Sequence, residues 1–461
     1  MADTYVIVGA GLAGLFAART LHHFGIQDIH IIEKSNSVGG LLQSTIAVSP
    51  LGDGVDYNFD IGTHFVLSTA QPEIDCVLSR DIRSEDYYEY HNSLQEGHFI
   101  NGKLYERSGC INIAHFVEKI QSQIKSEICR RVENNSDEIQ DFLSDTCVEK
   151  YGVTATALIY DPIFRKLTGQ PCKALSSKME TTLFPSRLII DDRAQSKILK
   201  KAPAWDKRIA FADCSDGSSD ILKRYPKHGG IGKWLCSMAK NLVGDGIQIH
   251  TDCRVSAINE IQGTLKSISL SKGPTIDCGH LIWTLPPTFL ALTANIEVPS
   301  LRPSIRNVCI INFLVDQRPI GRPYWINVYD AKFFTYRVTV YGNFAKYESG
   351  TEAYKVTVEV LHDGSFAGSR EDQDVILEEL RTMGIVPKNC RALWSDAGNA
   401  SQGFPILTPT IIKTTLRQIE ILEGHFKNVS MVGRRPDRGH GQIPVVMDIY
   451  ETIKKLLSIT P

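Results

Sequence analysis

Apolar positions near the start of the chain come in short runs separated by glycine and polar residues. Residues 4–8 are mostly apolar and predict a buried strand, residues 12–24 predict a helix, and residues 29–33 predict a second strand. This order is typical of a β-α-β unit that contributes to a parallel sheet. A short segment at residues 56–61 follows and leads into a loop at residues 62–64.

The pattern changes several times along the rest of the chain. Residues 111–178 are helical in pattern, and residues 231–242 predict a helix followed by strands at 247–249, 255–258 and 281–284. Residues 308–361 are rich in Val, Ile, Tyr and Phe with partial alternation, which predicts an antiparallel sheet. An amphipathic helix at 372–383, a strand at 429–432 and a last helix at 447–457 complete the prediction. Asp448 is expected at the start of that helix, where a purely structural role for its side chain would be to cap the helix.

A chain of 461 residues is too long for one compact core, so we expect several domains. The predicted fold class is α/β, with a Rossmann-like nucleotide-binding domain built from the discontinuous segments 1–70, 225–290 and 405–461. A mainly helical insertion at 71–224 and an antiparallel-sheet substrate domain at 291–404 are expected between them. The active site is then expected in the cleft between these units.

Composition limits the possible partners. The net charge of −2 gives no general attraction to nucleic acid or acidic membranes, and no apolar run is long enough to span a bilayer. The 11 cysteines contain no CxxC pair, which argues against a structural zinc site and a disulfide framework. We therefore expect a cytoplasmic protein with reduced thiols, no metal and no signal peptide before the first strand.

The strongest local motif lies between the first strand and the first helix. Gly9, Gly11 and Gly14 have the G-x-G-x-x-G spacing of a dinucleotide-binding turn. The first glycine makes the tight turn, the second lets the backbone approach a pyrophosphate, and the third lets the helix pack on the strand. Glu33 ends the second strand, where a carboxylate can accept hydrogen bonds from ribose hydroxyls. Its alternative role is a solvated strand end.

The segments around this unit resemble the amine oxidase and protoporphyrinogen oxidase superfamily. The resemblance is carried by Gly39-Gly40, by residues 225–230 (Tyr-Pro-Lys-His-Gly-Gly), by residues 281–287 (Leu-Ile-Trp-Thr-Leu-Pro-Pro) and by Val432-Gly433-Arg434. It implies non-covalent FAD rather than NAD as the bound cofactor. In addition to the glycine turn and Glu33, the cofactor-binding positions that it implies are Lys34, Gly39, Gly40, Val255, Gly433 and Asp448.

Within this superfamily the chain is most similar to the UDP-galactopyranose mutases. Residues 59–64 (Phe-Asp-Ile-Gly-Thr-His) are similar to a mutase loop that places a histidine beside the flavin, so Gly62 and Thr63 are implied in cofactor binding. Residues 166–187 and 334–344 resemble two mutase segments centred on Arg187 and Arg337. The resemblance implies a nucleoside diphosphate sugar as substrate and NAD(P)H as one candidate reductant of the flavin. The residues implied in catalysis are His64 and Arg434, and those implied in substrate binding are Arg187, Arg337 and Asn343.

Two guanidinium groups on different elements could clamp a diphosphate by forked, charge-assisted hydrogen bonds. Each residue also has a purely structural alternative. Arg187 can be a surface residue beside aspartates, Arg337 can pair with Glu359 on a neighbouring strand, and His64 can bond a backbone carbonyl.

The chain departs from the mutase pattern in two places. Thr168 replaces a tryptophan, and residues 433–448 lack the mutase tyrosine and contain a Gly-His-Gly-Gln-Ile-Pro piece that looks like a turn of the oxidases. Two enzymatic interpretations therefore stay open. One is a mutase-like enzyme in which reduced flavin acts as the nucleophile on a nucleotide-linked sugar, without net redox change. The other is an FAD-dependent oxidase or dehydrogenase, and a non-enzymatic flavin-binding scaffold is a third.

Overall fold

The computed structural model describes residues 4–62, 64–91, 94–134, 140–181, 187–212, 221–302, 304–345, 353–399 and 403–458. The first part of the chain forms the β-α-β unit that the apolar pattern predicts. Its elements are β1 (Tyr5–Val8), α1 (Leu12–His23), β2 (Ile29–Ile32), β3 (Ser44–Ala47), β4 (Tyr57–Asp60) and β5 (Val66–Leu67).

The segment between residues 71 and 224 contains most of the α-helices of the first half, but it also contains strands. Its elements are α2 (Pro72–Leu78), β6 (Tyr87–Tyr90), β7 (Glu96–Ile100), β8 (Lys103–Tyr105), β9 (Ile111–Asn112), α3 (Glu118–Asn134), α4 (Leu143–Ala155), α5 (Asp161–Thr168), β10 (Leu188–Ile189), α6 (Arg193–Leu199), α7 (Pro203–Asp206) and the beginning of β11 (Lys223–Pro226).

The remaining elements follow from residue 232 onward. These elements are α8 (Gly232–Gly244), β12 (Gln248–His250), β13 (Val255–Ile261), β14 (Thr264–Leu270), β15 (Ile276–Asp277), β16 (His280–Trp283), α9 (Pro287–Ala294), β17 (Ile305–Val315), β18 (Trp325–Val328), β19 (Thr335–Val340), β20 (Tyr354–His362), α10 (Arg370–Thr382), β21 (Ala392–Asn399), β22 (Phe404–Pro405), α11 (Pro409–His425), β23 (Val429–Met431) and α12 (Gln442–Leu456).

The first sheet is parallel and has the strand order β12-β2-β1-β16-β23. On one face, Ile7 packs in a core with Phe16 of α1 and Trp234 of α8. On the other face, Val6 packs in a core with Ile268 of β14 and Leu422 of α11. Burial on both faces explains why β1 is a nearly continuous apolar run rather than an alternating one. The predicted α/β class and Rossmann-like sheet are confirmed.

The second sheet has the order β21-β17-β20-β19-β18-β7-β8, and β22 also pairs with β17. Its pairs are antiparallel except for β18 with β7. The segment 71–224 thus supplies two strands, β7 and β8, to the sheet that we expected to lie within residues 291–404. One face packs on α10, where Val338 meets Ile376 in a single core. Within the described residues, no helix has the length and apolar character needed to cross a bilayer.

The last helix begins earlier than its pattern predicts. Helix α12 starts at Gln442, so Asp448 lies in its second turn and neither begins nor caps it. Pro444 and the preceding glycines resemble a turn in the sequence, but a proline is tolerated in the first turn of a helix, where its missing N–H would have no helical partner. The free N–H groups therefore lie near Gly441 and not near Asp448.

Candidate functional site

The glycine turn lies where β1 meets α1, and its backbone geometry requires glycine. Gly9 has a φ of +104° and donates from its N–H to the Ile32 carbonyl at 2.8 Å. A Cβ on Gly14 would lie 1.7 Å from the Gly9 carbonyl oxygen, which no side chain can tolerate. Gly11 is the N-cap of α1, which has no side-chain cap and no acidic residue in its first turn. The first N–H groups of α1 are therefore available to an anion.

The Gly39-Gly40 doublet lies directly against this turn. The Gly39 N–H donates to the Ala10 carbonyl at 2.8 Å, and Gly39 forms an isolated bridge with Gly11. A Cβ on Gly40 would lie 3.2 Å from the Gly11 Cα, and Gly40 itself is exposed with a φ of +59°. Two glycine segments that are distant in sequence thus form one surface of bare backbone.

Glu33 holds the second loop of the unit. Its Oε2 accepts a hydrogen bond from the Ala10 N–H and its Oε1 accepts one from the Ser35 N–H, both at 2.8 Å. The carboxylate is only partly buried, so its remaining lone pairs are open to further donors. Lys34 beside it is exposed, whereas Val255, at the start of β13, is 9% exposed and belongs to the core under β2.

The C-terminal segment closes over the same turn. Gly433 has a φ of +103°, and a Cβ added there would lie 3.6 Å from the Cβ of Ala13 in α1. Helix α12 follows, with Gly441 at its N-cap and no side-chain cap. Asp448 is 7% exposed at its side chain, where Oδ1 accepts from Arg438 while Oδ2 is buried without a partner among the described residues.

These features match the chemistry of a dinucleotide. A glycine cradle that side chains would fill, two uncapped helix N-termini and a partly open carboxylate suit a pyrophosphate and a ribose. The buried Asp448 Oδ2 still lacks the donor that a buried oxygen normally has, which a ligand hydroxyl could supply. The residues present therefore fit FAD. Thr63, predicted with them, lies outside the described residues.

His64 lies beside two guanidinium groups from distant elements. Burial, together with Arg337 and Arg434, lowers the pKa of His64 to about 3, and a hydrogen bond to the Ile61 backbone only partly opposes this. The imidazole is therefore neutral at physiological pH. The pKa of His440 is also lowered, mainly by burial and to a smaller extent by the charge of Arg434. The fold thus brings His64, Arg337, Arg434 and His440 into one electropositive cluster.

Arg434 has no counter-charge in this cluster. Burial lowers its pKa, and in the described part of the chain no carboxylate forms an ion pair with it and no acceptor forms a hydrogen bond. Its side chain nevertheless keeps exposed surface. Because this guanidinium is open to solvent, an anionic ligand could reach it and form charge-assisted hydrogen bonds with it.

Arg337, by contrast, is paired within the protein. Its Nε donates to Glu359 Oε1 at 2.5 Å, and its Nη2 donates to Glu359 Oε2. Burial alone would lower the pKa of Arg337, but the carboxylate outweighs it and the pKa is raised. A Cβ on Gly62 would lie 3.3 Å from both side chains, so the ion pair packs against the loop that precedes His64.

A β-bulge in β19 aims Arg337 at this loop. The register of β19 against β20 shifts between Thr335 and Arg337. Thr335 bonds Glu379 of α10, and Val338 packs in the core of the same helix. Tyr336 instead joins the core of the helical insertion, so Tyr336 and Arg337 both leave the α10 face. Bulges commonly redirect side chains in this way next to functional sites.

Two predicted substrate residues have other partners. Arg187 is 45% exposed at its side chain and lies 3.5 Å from Asp206; it is a surface residue, as the structural alternative has it, but its partner is not Asp191 or Asp192, which that alternative placed beside it. Asn343 donates from Nδ2 to the Pro323 carbonyl at 2.8 Å and to the Gly321 carbonyl at 3.3 Å. Neither contact connects these residues to the cluster around His64.

Asp60 organises the site, although the sequence did not single it out. It is 2% exposed and accepts hydrogen bonds from Ser44 Oγ at 2.7 Å, Tyr225 Oη at 2.7 Å and the Ile231 N–H at 2.9 Å. It thereby ties the loop before His64 to the start of α8. Its position inside the Phe-Asp-Ile-Gly-Thr-His segment was the available signal. Glu359 was predicted only as the structural partner of Arg337, which the structure confirms, and His440 carried no signal as a site residue.

Comparison with known proteins agrees with this architecture. Residues 7–80 match the model of an NAD(P)-binding Rossmann-like domain. The crystal structure of reduced UDP-galactopyranose mutase shares 17% identity and a TM-score of 0.74, covering 100% of this chain and 95% of its own. A protein from Exiguobacterium sp. 255-15, described as a candidate protoporphyrinogen oxidase, shares 15% identity and a TM-score of 0.68, with 100% of both chains covered.

A putrescine oxidase bound to putrescine shares 13% identity and a TM-score of 0.62, with 99% of each chain covered. At these identities the similarity establishes the fold. The resemblance inferred from the motifs is therefore confirmed at the level of the whole chain, which has the fold of UDP-galactopyranose mutase and of these oxidases, with an NAD(P)-binding Rossmann-like unit at residues 7–80.

Proposed function

We propose that the protein is an FAD-dependent enzyme that acts on a nucleoside diphosphate sugar through reduced flavin, with pyranose/furanose mutase-type chemistry. The FAD is held without a covalent bond by the glycine turn, the Gly39-Gly40 doublet and Glu33. Support for FAD comes from the fit of this cradle and from the fold shared with a UDP-galactopyranose mutase.

The observation that carries the substrate class is that Arg434 has no ion-pair or hydrogen-bond partner among the residues that the structure describes. A guanidinium without a carboxylate, next to a neutral histidine, is suited to an anionic group of the substrate. Since a slightly acidic chain offers no general attraction to anions, such a local charge is what a diphosphate would need.

Each residue of the cluster has a distinct role in this proposal. Arg434 binds the diphosphate and holds the sugar in place. His64 stays neutral, so it orients a hydroxyl by hydrogen bonding without adding a third positive charge. Glu359 fixes Arg337 behind Gly62 and thereby positions the loop. Bound reduced flavin would supply the nucleophile, and the protein supplies position and a site sheltered from water.

Arg187 remains a proposed second contact to the diphosphate. Its side chain is exposed, and its pair with Asp206 is long and solvated. Breaking this pair costs little, because such surface pairs contribute only about 0–1 kcal/mol. Arg337 is a weaker candidate, since releasing it would leave Glu359 buried and unpaired.

That same pairing favours the second candidate, an FAD-dependent oxidase or dehydrogenase. With Arg337 neutralised by Glu359, the two-arginine clamp expected of a nucleotide-sugar enzyme is not assembled from Arg187 and Arg337. The histidine-containing Gly439–Gly441 turn before α12 also matches the oxidase pattern more than the mutase pattern.

Calorimetric titration separates the two candidates. The purified flavoprotein is titrated with UDP, GDP and ADP, then incubated with the corresponding sugars after reduction by dithionite or by NADPH. Sub-millimolar binding of one diphosphate, and isomerisation only in the reduced state, would support the mutase-type function. Failure of all three to bind, with flavin reduction by an amine, would favour the oxidase. A colourless protein that takes up no FAD would exclude both.

A further inference from the structure

A cavity of about 220 Å³ lies at one end of the second sheet, apart from the glycine cradle. Its walls come from the last turn of α5, the start of β17, the residues before and at the start of β19, and the end of β20. We call it the α5 cavity. Because a single water needs only about 10–15 Å³ of such space, the cavity has room for a much larger ligand.

The charge of the α5 cavity is one-sided. Arg165, Lys166 and Arg306 line it, and in the described part of the chain no carboxylate does. Two of these cations already have partners: Arg165 bonds Asp161 at 2.5 Å, and the Lys166 ammonium donates to the carbonyls of Val328, Asp330 and Thr335. Lys166 thus joins α5 to the β18–β19 connection and has no donor left.

Arg306 is the cation with donors to spare. Its Nη2 makes a long bond of 3.3 Å to the Leu361 carbonyl, while its Nε is buried and has no partner among the described residues. Burial lowers its pKa, and Asp363, the acid that opposes this, already accepts from Ser365 N–H and Oγ. Among the described residues no carboxylate lies within ion-pair distance of this guanidinium, so an anion in the cavity could bind it directly.

Aromatic side chains line the same cavity. Phe333 and Tyr336 are buried, whereas Phe334 is 56% exposed at the cavity. The backbone of Phe334 is fixed, because its N–H donates to Glu379 Oε1 at 2.8 Å. An exposed ring on a rigid backbone, in the same cavity as a guanidinium with an unused donor, is a combination that suits a flat, charged ligand.

We propose that the α5 cavity binds a small anion with an aromatic body, whose carboxylate or phosphate pairs with Arg306 and whose ring packs on Phe334. This site is independent of the proposed flavin chemistry. It is a second ligand site on the same chain, and its occupant need not be a substrate.

The test is calorimetric titration of the flavin-loaded protein with four probes. Benzoate and phenyl phosphate carry both features and distinguish a carboxylate from a phosphate ligand. Acetate carries only the charge, and benzyl alcohol carries only the ring. We expect saturable binding of at least one aromatic anion, about ten-fold or more tighter than either single-feature probe.

Variants then locate the site. Arg306→Gln should weaken aromatic-anion binding by about ten-fold or more, and Phe334→Ala by several-fold. Arg165→Gln is the matched control, because that guanidinium is already paired and exposed, and it should change binding by less than about two-fold. If Arg306→Gln fails to fold, Phe334→Ala decides alone, since its ring is exposed.

The proposal is overturned if no aromatic anion binds saturably, or if Phe334→Ala and Arg306→Gln both leave binding unchanged. It is also overturned if binding is lost in Arg434→Gln but kept in Arg306→Gln, because the probe would then occupy the flavin-side cluster.

Discussion

Glu359 on β20 holds the guanidinium of Arg337 on β19 through two hydrogen bonds, and the pair lies beneath Gly62. Both side chains are almost fully buried. Separating the two members of such a pair is costly, because it leaves an uncompensated buried charge. The pair therefore holds the loop before His64 in place more firmly than an exposed ion pair could.

Glu359→Gln should lower the free energy of unfolding by about 3–5 kcal/mol, because it leaves the Arg337 charge buried and unpaired. Urea denaturation of the flavin-loaded protein measures this change. Arg417→Gln, which breaks the exposed pair of Arg417 and Glu420, is the matched control and should cost less than about 1 kcal/mol. Equal costs in the two variants would show that the Arg337–Glu359 pair is not buried in solution.

Substitutions in the glycine turn should separate folding from cofactor binding. Gly14→Ala places a Cβ 1.7 Å from the Gly9 carbonyl oxygen, so little folded protein is expected. Gly11→Val meets no such clash, since its Cβ would lie 3.8 Å from the Gly40 Cα, but it fills the space proposed for the pyrophosphate. We therefore expect Gly11→Val to fold and to lack flavin absorbance.

Gly244→Ala is the control for these variants, because a Cβ there meets nothing within 4 Å. It should keep both its circular dichroism and its flavin. A Gly11→Val protein with full flavin occupancy would mean that the cradle holds no pyrophosphate.

Glu33→Ala should raise the dissociation constant for FAD by about ten- to a hundred-fold. The variant loses two backbone hydrogen bonds that shape the loop, as well as the proposed acceptors for the ribose. Fluorescence titration of the flavin-free protein with FAD gives the constant. Asn36→Ala, at an exposed position of the same loop, should change it little. Equal effects of the two substitutions would contradict a specific role for Glu33.

Arg434→Gln should weaken binding of the preferred nucleoside diphosphate by about ten- to a hundred-fold, because a charge-assisted hydrogen bond is lost. Flavin occupancy should not change, and stability should not fall, since no described residue depends on this guanidinium as a partner. Calorimetry on wild type and variant provides the comparison. Arg187→Gln, run in parallel, tests the proposed second contact. An unchanged affinity in Arg434→Gln would remove the main support for the substrate class.

Stability should fall as the pH drops from about 6.5 toward 4. The folded-state pKa is about 3 for His64 and about 4 for His98, against 6.5 for an ordinary histidine. Between these values the unfolded chain binds protons that the folded protein excludes, so acid favours unfolding. Each group contributes about 1.4 kcal/mol per pH unit in this window.

Urea denaturation at several pH values measures that slope. In His98→Gln the pH slope should decrease by about one proton, and His64→Gln should act in the same direction. Slopes identical to wild type in both variants would show that neither ring is held neutral by the fold.

Features that depend on local backbone geometry were predictable from the order of the residues alone. Gly9 is required because its φ is positive, and Gly14 is required because the backbone of Gly9 lies too close for a side chain. The spacing of these glycines alone predicts the turn. The first parallel sheet was predictable for a related reason, since strands buried on both faces are continuous apolar runs. The early start of α12 was not, because a proline in a first helical turn looks like a loop.

Which charged side chains meet depends on the three-dimensional fold. Whether Arg337 faces a substrate or Glu359 depends on a bulge and on the register between two strands, and the sequence left both possibilities open. The cluster of His64, Arg337, Arg434 and His440 joins residues from the N-terminal unit, the second sheet and the C-terminal segment. Ion pairing and burial depend on the distances between residues that are far apart in the sequence. Local sequence patterns therefore do not predict them.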